Sequence, residues 1–284
     1  MRKIVNYLSF NLIFIKMEKT VNYAMMAIGL SLGIMTMLPE FSIFSFVFDF
    51  TGFVCHVGAA VLMIMAFVKQ LKVWKAEGAI PLAFVIPAAI CATMCVITTF
   101  FDLFGVFNWI GFIAGIVALI MSCKAFNLNS NPATAGAITM AAATTAAFYE
   151  INNDDAILVN IAAIVAYVFI IKGAKAIPAL GKMKLAAIFG IVASVLFLIK
   201  LTAFLGWIPY MVFAVLVMLA YMGFKKSVAA GGSLLMIAGI LLLVEEVLDF
   251  IPVVDVFVCP ILLIAVLALN IFGWIKAIGS MARA

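Results

Sequence analysis

Glu150, Lys200 and the adjacent pair Glu245 and Glu246 are the residues of this chain best placed to do chemistry. Each falls near the end of an apolar stretch, at comparable points of alternate stretches along the sequence (the fifth, seventh and ninth). Lys200 is a lone ammonium among acids, and Glu245 or Glu246 is its expected partner. Such a pairing either locks helices together or forms the mouth of a pathway for a cation or zwitterion. Lys200 lies sixteen residues beyond Lys184, about 24 Å along a helix, which takes it across most of a bilayer core. Asp154, in the run Asn152-Asn153-Asp154-Asp155, adds an oxygen-rich turn. That turn suits a hard cation, and equally an aspartate cap on the helix after it.

His56 is the one histidine of the chain, seven residues after Asp49. It is a candidate for a proton-linked or ligand-contacting role, with a helix residue bonded to its own backbone as the plainer reading. One imidazole cannot supply both axial ligands of a bis-histidine haem. Cys91 and Cys95 share a helical face and could suit a soft metal, but small core thiols are the simpler reading. The sequence carries no glycine-rich phosphate loop, no HExxH and no Gly-x-Ser-x-Gly elbow. No catalytic residue, metal or cofactor is therefore assigned.

The elements that must position these side chains follow from the charges. Sixteen of the seventeen basic residues fall in one set of connections and ten of the twelve acids in the alternate set. Lys200 is the exception on the acidic side, and Glu18 and Glu77 are the exceptions on the basic side. Hydrophobic residues make up 68% of the chain, charged residues 10%, and the mean hydropathy is +1.34. Soluble domains carry about 25% charged residues, so this inventory cannot coat a water-facing surface. A net charge of +5 then reflects loops facing an anionic leaflet; nucleic acid is excluded as a partner and the lipid bilayer takes its place.

Dividing the apolar runs at charges, prolines and glycines predicts an all-α, polytopic transmembrane bundle of about ten spans. They cover residues 21–38, 50–68, 79–101, 103–123, 132–149, 156–171, 185–204, 207–224, 229–246 and 254–275. An eight-span alternative drops 132–149 and a neighbour, but puts Asp154 and Asp155 on the same side as Lys172. The spans pair as five helical hairpins (21–78, 79–130, 131–181, 182–228 and 229–284) within a single transmembrane domain. Lys69, Lys124, Lys172, Lys225 and Lys276 step by 55, 48, 53 and 51 residues. Phe48-Asp49-Phe50 and Phe101-Asp102-Leu103 occupy corresponding turns. These periods suggest a unit of roughly 50 residues repeated five times, although evenly spaced spans produce similar periods unaided.

Residues 1–20 stand apart as a cytoplasmic or interfacial segment, since Ile4 to Ile15 is too short to span the ~30 Å core. Met17 offers a second translational start. Enrichment of Lys and Arg in alternate loops places both termini in the cytoplasm of a bacterial inner membrane. Trp74 and Trp274 at basic ends, and Trp109 and Trp207 at acidic ends, are expected at the interfaces. The Ala- and Thr-rich stretch 132–149 is expected at the centre, with kinks at Pro87 and Pro260.

Three functions fit. A small permease or channel-like carrier for a neutral or weakly polar solute agrees with kinked helices and charge-free span centres. A polar cavity lined by Thr139, Thr144 and Asn160 would support it, and a solid core would not. A non-catalytic membrane subunit or scaffold, partnered by copies of itself or by other membrane subunits, is the alternative. An intramembrane enzyme is the third.

Overall fold

The computed structural model describes residues 2–38, 50–78, 80–100, 105–125, 131–150, 157–199, 202–251, 254 and 257–283. Those residues are helical throughout, with no strand among them. The helices are α1 (Arg2–Thr36), α2 (Phe50–Glu77), α3 (Leu82–Phe100), α4 (Val106–Ala125), α5 (Pro132–Glu150), α6 (Ile157–Lys175), α7 (Gly181–Leu198), α8 (Ala203–Lys225), α9 (Gly232–Leu248) and α10 (Cys259–Met281). A short 3₁₀ turn, Pro178–Leu180, leads into α7. Each helix overlaps a predicted apolar run. Six segments are long and apolar enough to cross a membrane, on α2, α3, α6, α7, α8 and α10. By length and composition this is a multi-pass integral membrane protein.

The helices sort into an inner and an outer set. Large exposed hydrophobic side chains stud α2, α3, α4, α6, α7 and α8, among them Ile64, Ile86, Ile113, Val168, Ile188 and Ile208. A water-soluble chain would bury these side chains; a lipid-facing one gains nothing by doing so. On α5 there is none, and on the described part of α1 only Ile15. Both helices are interior. The closest partners are sequential hairpin mates: α1 with α2, α3 with α4, α5 with α6, α7 with α8 and α9 with α10. Beyond the hairpins, α5 to α10 close a six-membered ring, with α10 returning to α5. The first four helices form a second ring, joined to the other mainly by α1 against α5.

Interior helices need small residues, because their backbones must approach one another. Gly136 on α5 and Gly173 on α6 meet face to face: a Cβ at Gly173 would stand 2.8 Å from Gly136 O, and one at Gly136 would stand 2.7 Å from Ala176 Cβ. On α1, Gly29 receives Met63 of α2, while Gly33 receives Cys91 and Cys95 of α3. Gly111 and Gly115 of α4 seat Met37, just past the end of α1, and Ile34 of α1. The cysteines here are therefore packing residues, and Cys55, Cys91, Cys95 and Cys259 are all buried free thiols.

Several ends are written plainly in the sequence. At the start of α5, Asn131 accepts a hydrogen bond from Ala133 N at 3.0 Å, and Pro132 fills the first helical position. Before α9, Gly231 holds φ +84°, and a side chain there would collide with Gly273 and Ala277 of α10. Lys19 binds Glu77 at 2.8 Å, which accounts for one of the two acids out of place at the basic end. The pair is exposed, so it contributes about 0–1 kcal/mol.

Three expectations change. α1 runs unbroken for 35 residues, about 52 Å at 1.5 Å per residue, so residues 2–20 extend the first apolar run as one helix. Pro260 opens α10 rather than kinking it, since it lies at the first turn where no amide bond is lost. Trp74 and Trp274 are 2% and 0% exposed and so belong to the core, whereas Trp109 is exposed as an interfacial indole would be.

A bulky residue at the α5–α6 contact has nowhere to go. Gly173→Val is expected to destabilise the purified protein by about 1–3 kcal/mol, read as a lowered unfolding midpoint in detergent. Gly58→Ala, where nothing stands within 4 Å, is expected to leave the midpoint unchanged or slightly raised.

Candidate functional site

The polar interior of the six-membered ring centres on Asn270, in the apolar middle of α10. Its Nδ2 donates to Thr144 Oγ1 at 3.2 Å and to Thr145 Oγ1 at 3.3 Å, both on α5. Its Oδ1 accepts the Tyr221 hydroxyl of α8 at 2.7 Å. That hydroxyl in turn accepts Trp274 Nε1 at 3.3 Å. The two threonines direct their own hydroxyl protons to Met140 O at 2.8 Å and Ala141 O at 2.7 Å, one turn back along α5. Asn270, Thr144, Thr145, Tyr221 and Trp274 are all fully buried. Counting donors shows a closed set: both amide protons, both threonine protons, the phenol proton and the indole proton each have an acceptor. A hydrogen-bonded set of this kind fixes the register of α5, α8 and α10 in a medium without water.

An aromatic column continues from this network toward the acidic end. Phe148 packs on Phe213 (6.3 Å between centroids), Phe213 on Tyr167 (5.3 Å) and Tyr210 (5.8 Å), Tyr210 on Phe197 (5.6 Å), and Phe197 on Trp207 (5.7 Å). Tyr167 OH bonds Tyr210 OH at 3.3 Å. Gly190 of α7 makes the room, because any side chain there would strike the Tyr167 ring.

Glu245 and Glu246 lie in the last turn of α9, 2% and 1% exposed. Neighbours on a helix point about 100° apart, so burying both encloses that turn on two sides, against α8 and α10. Cys259 Sγ approaches Glu245 O at 3.9 Å, which ties the start of α10 to the same turn. Two buried carboxyls side by side are costly without compensation and mark this end as the most electrostatically demanding place in the fold.

The remaining candidates lie elsewhere. His56 is on α2, half-buried, with Nδ1 2.9 Å from Gly52 O one turn back. Helix α2 packs on α1, α3 and α10, whereas α9 packs on α8 and α10, so His56 and the glutamates belong to different neighbourhoods. Glu150 closes α5, its side chain outside the described residues, where Asp154, Lys200 and the expected Lys200–glutamate pairing also lie. Thr139 bonds Ala135 O at 3.0 Å, and Asn160 is buried on α6.

Sequence reasoning named Thr144 but missed its partners. The signal was present in Asn270: an amide in the middle of a 23-residue apolar helix has to find partners. No protein-family model, curated protein or solved structure matches this chain.

Asn270→Leu leaves the Tyr221 hydroxyl without its acceptor and should cost about 1–3 kcal/mol of stability in detergent. Tyr221→Phe removes the donor to Asn270 and leaves Trp274 Nε1 without its acceptor, and should cost a comparable amount, about 1–3 kcal/mol. A double-mutant cycle is expected to show clear coupling between the two, and additive losses would mean the hydrogen bond does not form.

Proposed function

We propose that this chain is a non-catalytic membrane subunit, a scaffold that organises other membrane proteins or copies of itself within the bilayer. The observation that carries the reading is the closed hydrogen-bond set around Asn270. A pathway for a polar solute needs free donors and acceptors at mid-membrane depth. Here Thr144, Thr145, Asn270, Tyr221 and Trp274 spend their donors on one another and on the α5 backbone, and the aromatic column packs beyond them. The apolar outer faces of α3, α4, α6 and α7 are then the surfaces left for contact with lipid or with partner helices. We read ten crossings, in five hairpins, with both termini on the cytoplasmic side of a bacterial inner membrane. The basic ends of successive hairpins supply that orientation.

A second reading, a permease for a neutral or weakly polar solute, is favoured by one feature. Glu245 and Glu246 are buried together at the acidic end, where a carboxylate pair could select what enters between α8, α9 and α10.

Reconstituted alone into liposomes, the chain is expected to give glycerol uptake equal to that of empty vesicles in a stopped-flow osmotic assay. Extracted from native membranes in a mild detergent, it should migrate as a larger assembly of fixed stoichiometry. Glycerol flux above background, abolished by Glu245→Gln/Glu246→Gln, would establish the permease instead.

A further inference from the structure

At the basic end of the bundle a groove of about 600 Å³ opens across α8, lined by Lys182 of α7, Leu219, Met222, Gly223, Lys225 and Lys226 of or just beyond α8, and Met236 of α9. We propose that it binds one anionic phospholipid, with the phosphodiester among the three ammonium groups and an acyl chain along Leu219, Met222 and Met236. The proposal rests on the membrane reading alone and stands whether the protein is a scaffold or a permease.

The chemistry of the groove is divided the way a phospholipid is divided. Lys182 sits in the first turn of α7, and Lys225 and Lys226 finish α8, so three cations converge from two helices on one rim. All three are exposed. Among the described residues no carboxylate lies within ion-pair distance of any of them, whereas Lys19 at the same end of the bundle has Glu77. The first turns of α7 and α9 contain no acid. Below the rim the lining is apolar. Lys225 Nζ lies back against Met236 Sδ at 3.9 Å, over that apolar wall. An ammonium has little to gain from a thioether, and a phosphate oxygen at the rim would supply the charge-assisted bond it lacks. Gly223, with no side chain, also lines the groove. Basic pockets between transmembrane helices at the membrane boundary are the general form of an anionic headgroup site. Their position at the level of the headgroups selects a bilayer phosphate over a free one.

The test is native mass spectrometry of the purified full chain in a non-ionic detergent, titrated with phosphatidylglycerol, phosphatidylcholine or inorganic phosphate. One phosphatidylglycerol is expected to stay bound, in preference to phosphatidylcholine. Lys182→Gln/Lys225→Gln/Lys226→Gln should weaken that binding by about tenfold or more. The matched set Lys69→Gln/Lys72→Gln/Lys276→Gln, from other exposed basic-end lysines, should leave it intact. Leu219→Trp, which fills the groove without touching its charge, should also expel the lipid and keeps the test decisive if the triple variant folds poorly. Equal losses in the two lysine sets would overturn the site in favour of diffuse boundary electrostatics. So would equal affinity for phosphatidylcholine, or displacement of the lipid by millimolar inorganic phosphate.

Discussion

In hydrocarbon a peptide group has no water to bond and must find its partner within the protein, and the rest of this architecture follows from that restriction. Every described segment of any length is a helix because a helix satisfies its backbone within itself. Once all elements are apolar rods in an apolar solvent, sequestering greasy side chains no longer drives them together. What remains is closeness of approach and hydrogen bonding between helices. The two interior helices show both. Helix α5 is mostly alanine and threonine and meets α6 backbone to backbone at Gly136 and Gly173. Helix α1 carries glycines toward α2 and α3, while its Ile34, and Met37 just past its end, fit against the glycines of α4. Helices rich in small residues belong at the centre of such a bundle, and those with branched aliphatic surfaces belong at its edge.

The polar groups divide by depth. Amide, hydroxyl and indole groups occupy the middle of the ring, where each proton can be matched to an acceptor without creating charge. Carboxyls occur where the helices end, at Glu245 and Glu246, close enough to the boundary for the charge to be screened or shared. The arrangement in the middle favours rigidity. Moving α8 relative to α5 and α10 would break the Tyr221–Asn270 bond and leave at least one buried group unsatisfied. A protein that must alternate between two shapes gains little from such a clamp across three helices, and a scaffold gains much.

Much of this was legible in the sequence, and the gaps have physical causes. The described helices overlap the predicted runs because, outside α1, charged residues interrupt the apolar chain mainly near helix ends. The interior position of α5 followed from its lack of large side chains. The core role of Trp74 and Trp274 was not foreseen: an indole near a charged loop resembles an interfacial anchor, and only packing reveals that Trp274 turns inward to Tyr221 while Trp74 packs edge-on against Phe67 and Phe84. The Asn270 network joins residues 126 and 49 positions apart, so no local pattern announces it. Of the site candidates, Glu245 and Glu246 were recognisable as a pair, but their burial depends on how α8 and α10 flank α9, which periodicity cannot supply.

Among the described residues, the carboxyls of α9 and the ammonium groups of the basic end sit in unlike surroundings that net charge conceals. At the acidic end, Glu245 and Glu246 fold inward, and the turn that carries them is sealed by α8, α10 and the Cys259 thiol. At the basic end, Lys182, Lys225, Lys226, Lys72 and Lys276 are all exposed, and long lysine stems of this kind let a charge reach water from beside apolar surface. Buried carboxyls such as Glu245 and Glu246 are suited to holding helices together. Exposed ammonium groups are suited to meeting something negative, and at a membrane boundary the nearest negative groups are lipid phosphates. Among the described residues, the alternation of charge along the chain thus sets the buried carboxyls of α9 apart from the exposed ammonium groups of α7 and α8.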